Sequence, residues 1–210
     1  MSQPDTASTS VAIAAGSNGR KGQHGVRLAV KEEFVLKASK DGITIEGISA
    51  RLLKARISFK ATFVTFVVAY TPTEDATEGE KARNMAAVNS TVKPVPAREH
   101  VFVVTDANAR TEKRGEGGRE TDSKVLGAYG RDVLNVNGKL LLGFAEDNKL
   151  ALLNTFFSTP KRGVSFTFQS ANRGKGQACL DYVLTIQADR RLVRYVNVRP
   201  PHFGVTGITP

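Results

Sequence analysis

Two apolar runs rich in β-branched and aromatic residues constrain the fold of this chain most. They are FVTFVVAY (63–70) and HVFVVTD (100–106). Such residues favour extended backbone, and a continuous apolar run is typical of a strand covered on both faces. Each run ends in a polar residue, Tyr70 in the first and Asp106 in the second. We therefore predict two buried strands, each of which holds a chemically useful side chain at its end.

Other segments predict further strands and helices around this pair. Strand patterns occur in GVRLAVKEE (25–33), ITIEGISARLLKARI (43–57), LALLNTFF, GVSFTFQS, ACLDYVLTI and LVRYVNV (192–198). Helical spacing occurs in EGEKARNMAAVNSTV, which Pro94 and Pro96 stop, and in NVNGKLLLGFAEDNK, which follows an Asn cap. Helices separate some strands and hairpin turns join others. The predicted fold class is therefore α/β, a two-layer mixed β-sandwich flanked by helices.

Length and composition predict one domain with polar ends. The chain has 210 residues, of which 40% are hydrophobic, enough for one sizeable core. Residues 1–23 are polar and rich in Ser, Thr, Gly and Ala, so we expect a disordered tail there, followed by a domain over 24–199 and an irregular tail over 200–210. No apolar run approaches the roughly 20 residues that span a bilayer, so we expect no membrane partner.

Cysteine content and charge restrict the chemistry. The single cysteine, Cys179, excludes an internal disulfide framework and a Cys-rich zinc site, and it suggests an intracellular protein, cytoplasmic or nuclear. Thirty Lys and Arg against twenty Asp and Glu give a net charge of +10, which favours nucleic acid or phosphorylated ligands. The basic segment 110–119 is interleaved with Glu residues and is expected to be a solvated loop.

The segment VVTDAN contains the first candidate site. Asp106 and Asn108 lie two residues apart directly after a predicted strand, and Asp181 lies within CLDYVL. Taken alone, Asp and Asn after a strand are more often turn residues that bond to local backbone, and Tyr70 is more often a strand-end aromatic. Only the combination of these motifs in one order favours a functional site.

That ordered series resembles the endonuclease/exonuclease/phosphatase superfamily. VVAYTPT, VVTDANAR, VSFTFQS and LDYVLT follow one another at the superfamily's spacing, and the similarity is closest to the endonuclease-like domains of LINE-type retroelements and craniofacial-development-protein-2-like sequences. It covers residues 22–199. The resemblance implies a two-sheet sandwich that hydrolyses phosphoesters of DNA or RNA with Mg²⁺, or Mn²⁺ in its place.

The resemblance also implies a role for each candidate residue. Asp106 matches an aspartate that faces the scissile phosphate and is the candidate metal ligand. Asn108 and Tyr70 match donors to phosphate oxygens, and Arg110 beside them is a further candidate for substrate binding. Asp181 matches an aspartate that orients a catalytic histidine.

Parts of the superfamily pattern do not occur in this sequence. The resemblance implies an Asn-ended strand and a strand with a metal-binding Glu before GVRLAV, and a closing Ser-Asp-His motif. The segment before GVRLAV shows neither strand, and RPPHFGVTGITP contains His202 but no Asp. Glu32, Glu33 and Glu46 lie later in the chain than the position of the missing Glu, so we do not assign them as the metal ligand. The sequence therefore predicts a domain that is truncated at both ends, with an incomplete active site and impaired or lost hydrolysis.

Two interpretations of function follow from these observations. The first is an endonuclease-like hydrolase whose inherited activity is reduced. The alternative is a non-catalytic module that binds nucleic acid or protein through a basic surface. A truncated sheet exposes backbone donors and acceptors, so a second chain that completes the sheet is a further expected partner.

Overall fold

The architecture is described from a computed structural model, over residues 10–16, 25–39, 42–114, 124–130, 133–159, 164–170, 176–196 and 198. The helices are α1 (Glu32–Leu36), α2 (Glu78–Val92) and α3 (Val136–Asp147), with 3-10 turns at Leu153–Thr155 and Gln187–Leu192. The strands are β1 (Ser10–Gly16), β2 (Gly25–Lys31), β3 (Ile43–Ser49), β4 (Leu52–Phe59), β5 (Thr62–Tyr70), β6 (His100–Asp106), β7 (Leu150–Leu152), β8 (Phe168–Gln169), β9 (Gln177–Ala178) and β10 (Asp181–Ile186).

A six-stranded mixed sheet forms the centre of the fold, in the order β3-β4-β5-β6-β10-β7. The strands β5 and β6 are parallel and are connected through α2, whereas the other neighbours in this sheet are antiparallel. Strand β4 pairs antiparallel with β5 across the turn at 60–61. Both predicted buried strands therefore lie side by side in the middle of the sheet.

Helices α2 and α3 cover one face of this sheet. Their apolar residues Val88, Val92, Leu141 and Leu142 pack with sheet residues such as Val67. Helix α2 begins with a capping box in which Thr77 Oγ1 accepts from the Glu80 N–H and the Glu80 carboxylate accepts from the Thr77 N–H. No described helix combines the length and apolar character needed to cross a membrane.

The second layer lies on the opposite face and begins earlier in the chain than we expected. Strand β1 pairs antiparallel with β2, so the expectation of a disordered tail over residues 1–23 was wrong for Ser10–Gly16. The segment VAIAA is short, but β2 offers it a full ladder of backbone hydrogen bonds. Val26 and Leu28 of β2 pack on Leu53 and Val68 of the central sheet. The predicted two-layer mixed α/β class is thus confirmed.

Three predicted strands are shorter than expected. LALLNTFF is a strand over Leu150–Leu152 and continues as the 3-10 turn Leu153–Thr155. LVRYVNV begins within the 3-10 turn Gln187–Leu192 and contributes only an isolated bridge between Val198 and Val164, while GVSFTFQS contributes the two residues of β8. Alternation of apolar residues favours extended backbone, but a ladder needs a neighbouring strand. The tail expected over 200–210 lies outside the described residues.

An ion pair between Arg56 of β4 and the buried Glu99, which directly precedes β6, lies on the face of the central sheet that α2 and α3 cover. The Glu99 side chain is only 1% exposed, and the Arg56 guanidinium donates to both of its carboxylate oxygens, from Nε at 2.9 Å and from Nη2 at 2.7 Å. Thr65 Oγ1 donates to Glu99 at 3.0 Å. The Arg56 guanidinium also lies 3.8 Å from the centre of the Phe63 ring. These contacts satisfy a carboxylate that would otherwise be costly to bury.

Candidate active site at the strand ends

Three candidate residues lie side by side at the ends of three neighbouring strands of the central sheet. Asp106, the last residue of β6, pairs in register with Tyr70 of β5 on one side and with Asp181 of β10 on the other. Side chains directly opposite one another on neighbouring strands point to the same face of a sheet. All three residues line a cavity of about 400 Å³ that opens on the second-layer side.

Asp106 has an unusual electrostatic environment. Burial raises the pKa of its carboxyl group, and the negative charge of Asp181 raises it further. The backbone N–H of Asn108 donates to Asp106 Oδ1 at 3.2 Å and opposes this rise. A carboxyl group whose pKa is raised takes up a proton more readily near neutral pH, as a group that accepts a proton during hydrolysis must do.

Asn108 adopts a backbone conformation that few residues tolerate. Its φ is 45°, in the left-handed region that Asn accepts more easily than most side chains. The side-chain amide Nδ2 donates to the Thr71 carbonyl at 2.8 Å. The Asn108 carbonyl accepts from Nδ2 of both Asn135 and Asn137, each at 3.2 Å. The loop after β6 is therefore held from β5 and from α3 together.

The start of α3 supplies contacts that the sequence did not indicate. Asn135 caps α3 as predicted, since its Oδ1 accepts from the Gly138 N–H, but the same oxygen also accepts from the Arg110 N–H at 2.8 Å. Asn137 is 1% exposed and reaches both Asn108 and the Pro72 carbonyl. An Asn-x-Asn-Gly segment at a helix start, with the second Asn on the apolar face, is the signal that could have identified these residues.

Asp181 is held through its backbone and exposes its side chain. Thr167 Oγ1 accepts from the Asp181 N–H at 3.1 Å, and Asn154 Nδ2 donates to the Asp181 carbonyl at 3.1 Å. Asn154 Oδ1 also accepts from the Val183 N–H at 2.9 Å. Asn154 and Thr167 line the same cavity as Asp106. A polar residue interrupting an apolar run, as in LLNTFF, was the available signal for Asn154.

Basic residues approach the site from two elements. Arg27 of β2 lines the cavity. The Arg51 guanidinium lies 5.2 Å from the centre of the Tyr70 ring. The predicted substrate residue Arg110 joins the site region through its backbone, which bonds to Asn135. The solvated loop expected over 110–119 is described only as far as residue 114.

The described histidine, His100, and the glutamates considered as metal ligands lie away from the strand-end site. His100 opens β6 at the opposite end from Asp106, about 20 Å away at the usual rise of a strand, and its Nδ1 lies 2.9 Å from Asp189 Oδ2. Glu32 and Glu33 begin α1, and Glu46 lies on β3. The segments that contain His24 and His202 lie outside the described residues.

The donor set can be compared with what Mg²⁺ requires. Mg²⁺ commonly binds one or two carboxylates together with waters and substrate phosphate oxygens. Asp106 and Asp181 face each other across neighbouring strands and supply such a pair. Within the part of the chain that the structure describes, no group of three His, Cys, Asp or Glu side chains is arranged to hold a metal. The donor set therefore fits a divalent cation only as far as this one carboxylate pair.

Replacement of Asp106 by Asn is expected to stabilise the protein. A raised carboxyl pKa in the folded state means that ionised Asp106 opposes folding above that pKa, and the cost disappears below the usual pKa range of Asp. Asn keeps an oxygen for the Asn108 N–H. We expect Asp106→Asn to raise Tm at pH 7 by about 2–4 °C and the gain to vanish in acid. Thermal denaturation at several pH values checks this; a lower Tm at pH 7 would contradict it.

Comparisons with known proteins identify relatives in sequence. No protein-family model matches the chain. The chain is 27% identical over 150 residues to craniofacial development protein 2 of Bos taurus and to that of Tragulus javanicus. These 150 residues are 71% of this chain. The match spans 24% of the Bos taurus protein and 25% of the other, so it corresponds to about a quarter of either relative.

Solved structures share the fold. The endonuclease domain of TRAS1, a telomere-specific non-LTR retrotransposon, aligns with a TM-score of 0.54 at 16% identity, over 86% of this chain and 69% of that domain. A 3'-5' exonuclease from Neisseria meningitidis aligns with a TM-score of 0.57 at 12% identity, over 90% of this chain and 72% of the exonuclease. Together with the order of its motifs, these similarities confirm that the chain has the fold of the endonuclease/exonuclease/phosphatase superfamily.

Proposed function

We propose that this domain binds a nucleic-acid phosphodiester at the strand-end site and that its inherited chemistry is Mg²⁺-dependent hydrolysis of that bond. The observation that carries the proposal is the register of Tyr70, Asp106 and Asp181 on three neighbouring strands around one cavity. The similar structures are an endonuclease domain and an exonuclease, which supports a polynucleotide as the ligand.

Each side chain has a definite part in this proposal. An amide group has two N–H donors, so Asn108 can bond to the Thr71 carbonyl and still donate to a phosphate oxygen. The Tyr70 hydroxyl is a second donor to the phosphate. Asp106 faces the phosphate, and one of its carboxylate oxygens accepts a hydrogen bond from the attacking water. Fixed donors of this kind stabilise the charge that develops on phosphoryl oxygens.

Asp106 and Asp181 are the residues that would hold Mg²⁺. When bound there, the ion would neutralise phosphoryl charge and make the bound water more acidic. Two carboxylates attract a cation more weakly than a larger set of ligands does. We therefore propose a hydrolysis rate reduced by several orders of magnitude, because no described histidine lies at the site and general acid–base catalysis alone contributes about 10²–10⁴-fold.

A non-catalytic role is the second candidate. The net charge of +10 favours binding to nucleic acid whether or not the phosphodiester is cleaved. In that case the strand-end site serves to recognise a phosphate group, and binding does not require Mg²⁺. Both candidates predict that nucleic acid binds at the same edge of the central sheet.

Nicking of supercoiled plasmid in the presence of Mg²⁺ tests the catalytic candidate. The wild-type chain is compared with Asp106→Ala/Asn108→Ala and with an EDTA control, and folding of each chain is checked by circular dichroism. We expect slow nicking that EDTA and the double substitution both abolish. Plasmid binding without nicking, from folded chains, would favour the non-catalytic candidate. Nicking that survives the double substitution would overturn the proposed site.

A further inference from the structure

A second cavity lies beside the strand-end site, between the β3–β4 turn and the first half of α2. Its volume is about 630 Å³, within the usual range of about 300–1,000 Å³ for ligand sites. We call it the arginine groove and define it by Arg51, Tyr70, Pro72, Thr73, Arg83 and Asn84. It is open enough to receive a nucleotide.

Tyr70 connects the arginine groove with the strand-end site. Its side chain lines both cavities, with Asp106 and Asp181 in one and Arg83 in the other. The path between the two cavities thus crosses a single side chain. The two cavities therefore adjoin one another at this residue.

The charges in the arginine groove are arranged for a polyanion. Arg51 and Arg83 line the groove together with Glu80. Hydrogen bonds from Thr77 and, to a smaller extent, the charges of Arg83 and Arg51 lower the pKa of the Glu80 carboxyl. Glu80 is engaged by the Thr77 N–H and Oγ1 in the capping box of α2. The two arginines therefore leave the groove with a net positive charge, which attracts phosphate groups.

Asn84 adds a polar contact at the base of the groove. Its Nδ2 donates to the Tyr70 carbonyl at 3.4 Å, which ties α2 to the end of β5. Its Oδ1 is buried and, among the described residues, has no hydrogen-bond partner.

We propose that the arginine groove holds the continuation of the polynucleotide strand whose phosphodiester occupies the strand-end site. The ligand of this domain is therefore a polynucleotide, and neither a mononucleotide nor a small phosphoester fills both cavities. This inference rests on the proposed function, because it takes one phosphate to lie at Asn108. Arg51 and Arg83 each contact a neighbouring phosphate of the same strand.

Binding as a function of ligand length tests this inference. Fluorescein-labelled oligothymidylates of two, four and eight nucleotides are titrated with the full chain in EDTA, so that cleavage does not interfere, and thymidine 5'-monophosphate serves as a competitor. The variants are Arg83→Gln, Arg51→Gln/Arg83→Gln, the site variant Asp106→Ala/Asn108→Ala, and Lys60→Ala. Lys60 is exposed in the β4–β5 turn at the opposite end of β5 from Tyr70, so it controls for loss of charge.

The expected result is an affinity that rises with length in the wild type. Arg51→Gln/Arg83→Gln should raise the Kd of the eight-nucleotide ligand about tenfold and reduce its salt dependence by a slope of about 1.4, the effect of two phosphate contacts with a single strand. Arg83→Gln alone should leave competition by the mononucleotide unchanged, and Lys60→Ala should bind as the wild type does.

Other results would separate this inference from the proposed function. If the wild type shows no dependence on length, or if the double arginine variant keeps it, the arginine groove does not hold the strand and the strand-end site is unaffected. If the arginine variant loses affinity but Asp106→Ala/Asn108→Ala does not, the proposed site is overturned and the groove is not.

Discussion

Gly138→Ala is expected to reduce the free energy of unfolding by about 3 kcal/mol, although Ala normally favours a helix. A Cβ on Gly138 would lie 2.0 Å from the Arg110 carbonyl oxygen and 2.9 Å from Leu134 Cδ1. The contact is with backbone, which cannot move aside without separating α3 from the loop that carries Asn108. The same substitution should therefore weaken binding of an eight-nucleotide ligand.

Gly143 provides the matched control in the same helix. A Cβ there would meet nothing within 4 Å, so Gly143→Ala should stabilise the protein by about 0.5–1 kcal/mol. Urea denaturation of both variants measures the difference. Equal effects of the two substitutions would show that α3 does not pack closely on the Arg110 backbone.

Arg56→Met should cost about 3–5 kcal/mol, because it leaves the Glu99 carboxylate buried without its cation. Among the described residues, the hydrogen bond from Thr65 is the side-chain hydrogen bond to Glu99 that would remain. Replacing both partners, in Arg56→Met/Glu99→Gln, should recover most of the loss, since a neutral buried pair no longer contains an uncompensated charge. Urea denaturation at pH 7 gives both values.

The same pair predicts a dependence of stability on pH. Hydrogen bonds from Arg56 hold the pKa of Glu99 below its usual range, and Thr65 and nearby charges contribute to the same direction. A lowered carboxyl pKa adds stability above the usual pKa of Glu, and this stability is lost as the pH falls through the folded-state pKa. The double variant should lose less stability in acid than the wild type does.

Lys54→Met is the control for removal of a positive charge from β4. Lys54 lies two residues from Arg56 and faces Glu46 across the β3–β4 pair. Its replacement by Met should change the free energy of unfolding by less than about 1 kcal/mol. If Arg56→Met costs no more than this control, the ion pair is not needed to keep Glu99 buried.

The parts of the fold that local patterns determine were predictable from the sequence. The strands that end at Tyr70 and Asp106 have long runs of β-branched residues. Helix α2 has apolar residues at helical spacing and is followed by prolines. Asn is a residue type that N-cap positions favour, and Asn135 caps α3. The polar residue at the end of each of these two strands predicted that the strands contribute to the site. The resemblance placed Asp181 with them.

The remaining parts depend on contacts between segments that are distant in the sequence. Ser10–Gly16 forms a strand because β2 offers it an edge, and a short polar-flanked run does not reveal that partner. The hold on Asn108 comes from Asn137, 29 residues later in the chain. Raised pKa values likewise follow from burial and from the charge across the strand pair, which no local pattern specifies.

The position of β10 between β6 and β7 determines when the site can form during synthesis. Both neighbours of β10 precede it in the chain, so a nascent chain that has emerged as far as residue 180 presents two unpaired strand edges where Asp181–Ile186 will later insert. Long-range pairing of this kind closes late and slowly. Asp181 is thus the last of the three strand-end residues to arrive, and no folding intermediate that lacks β10 can contain the assembled site. Chaperone occupancy on stalled ribosomes should accordingly fall only after β10 has left the exit tunnel.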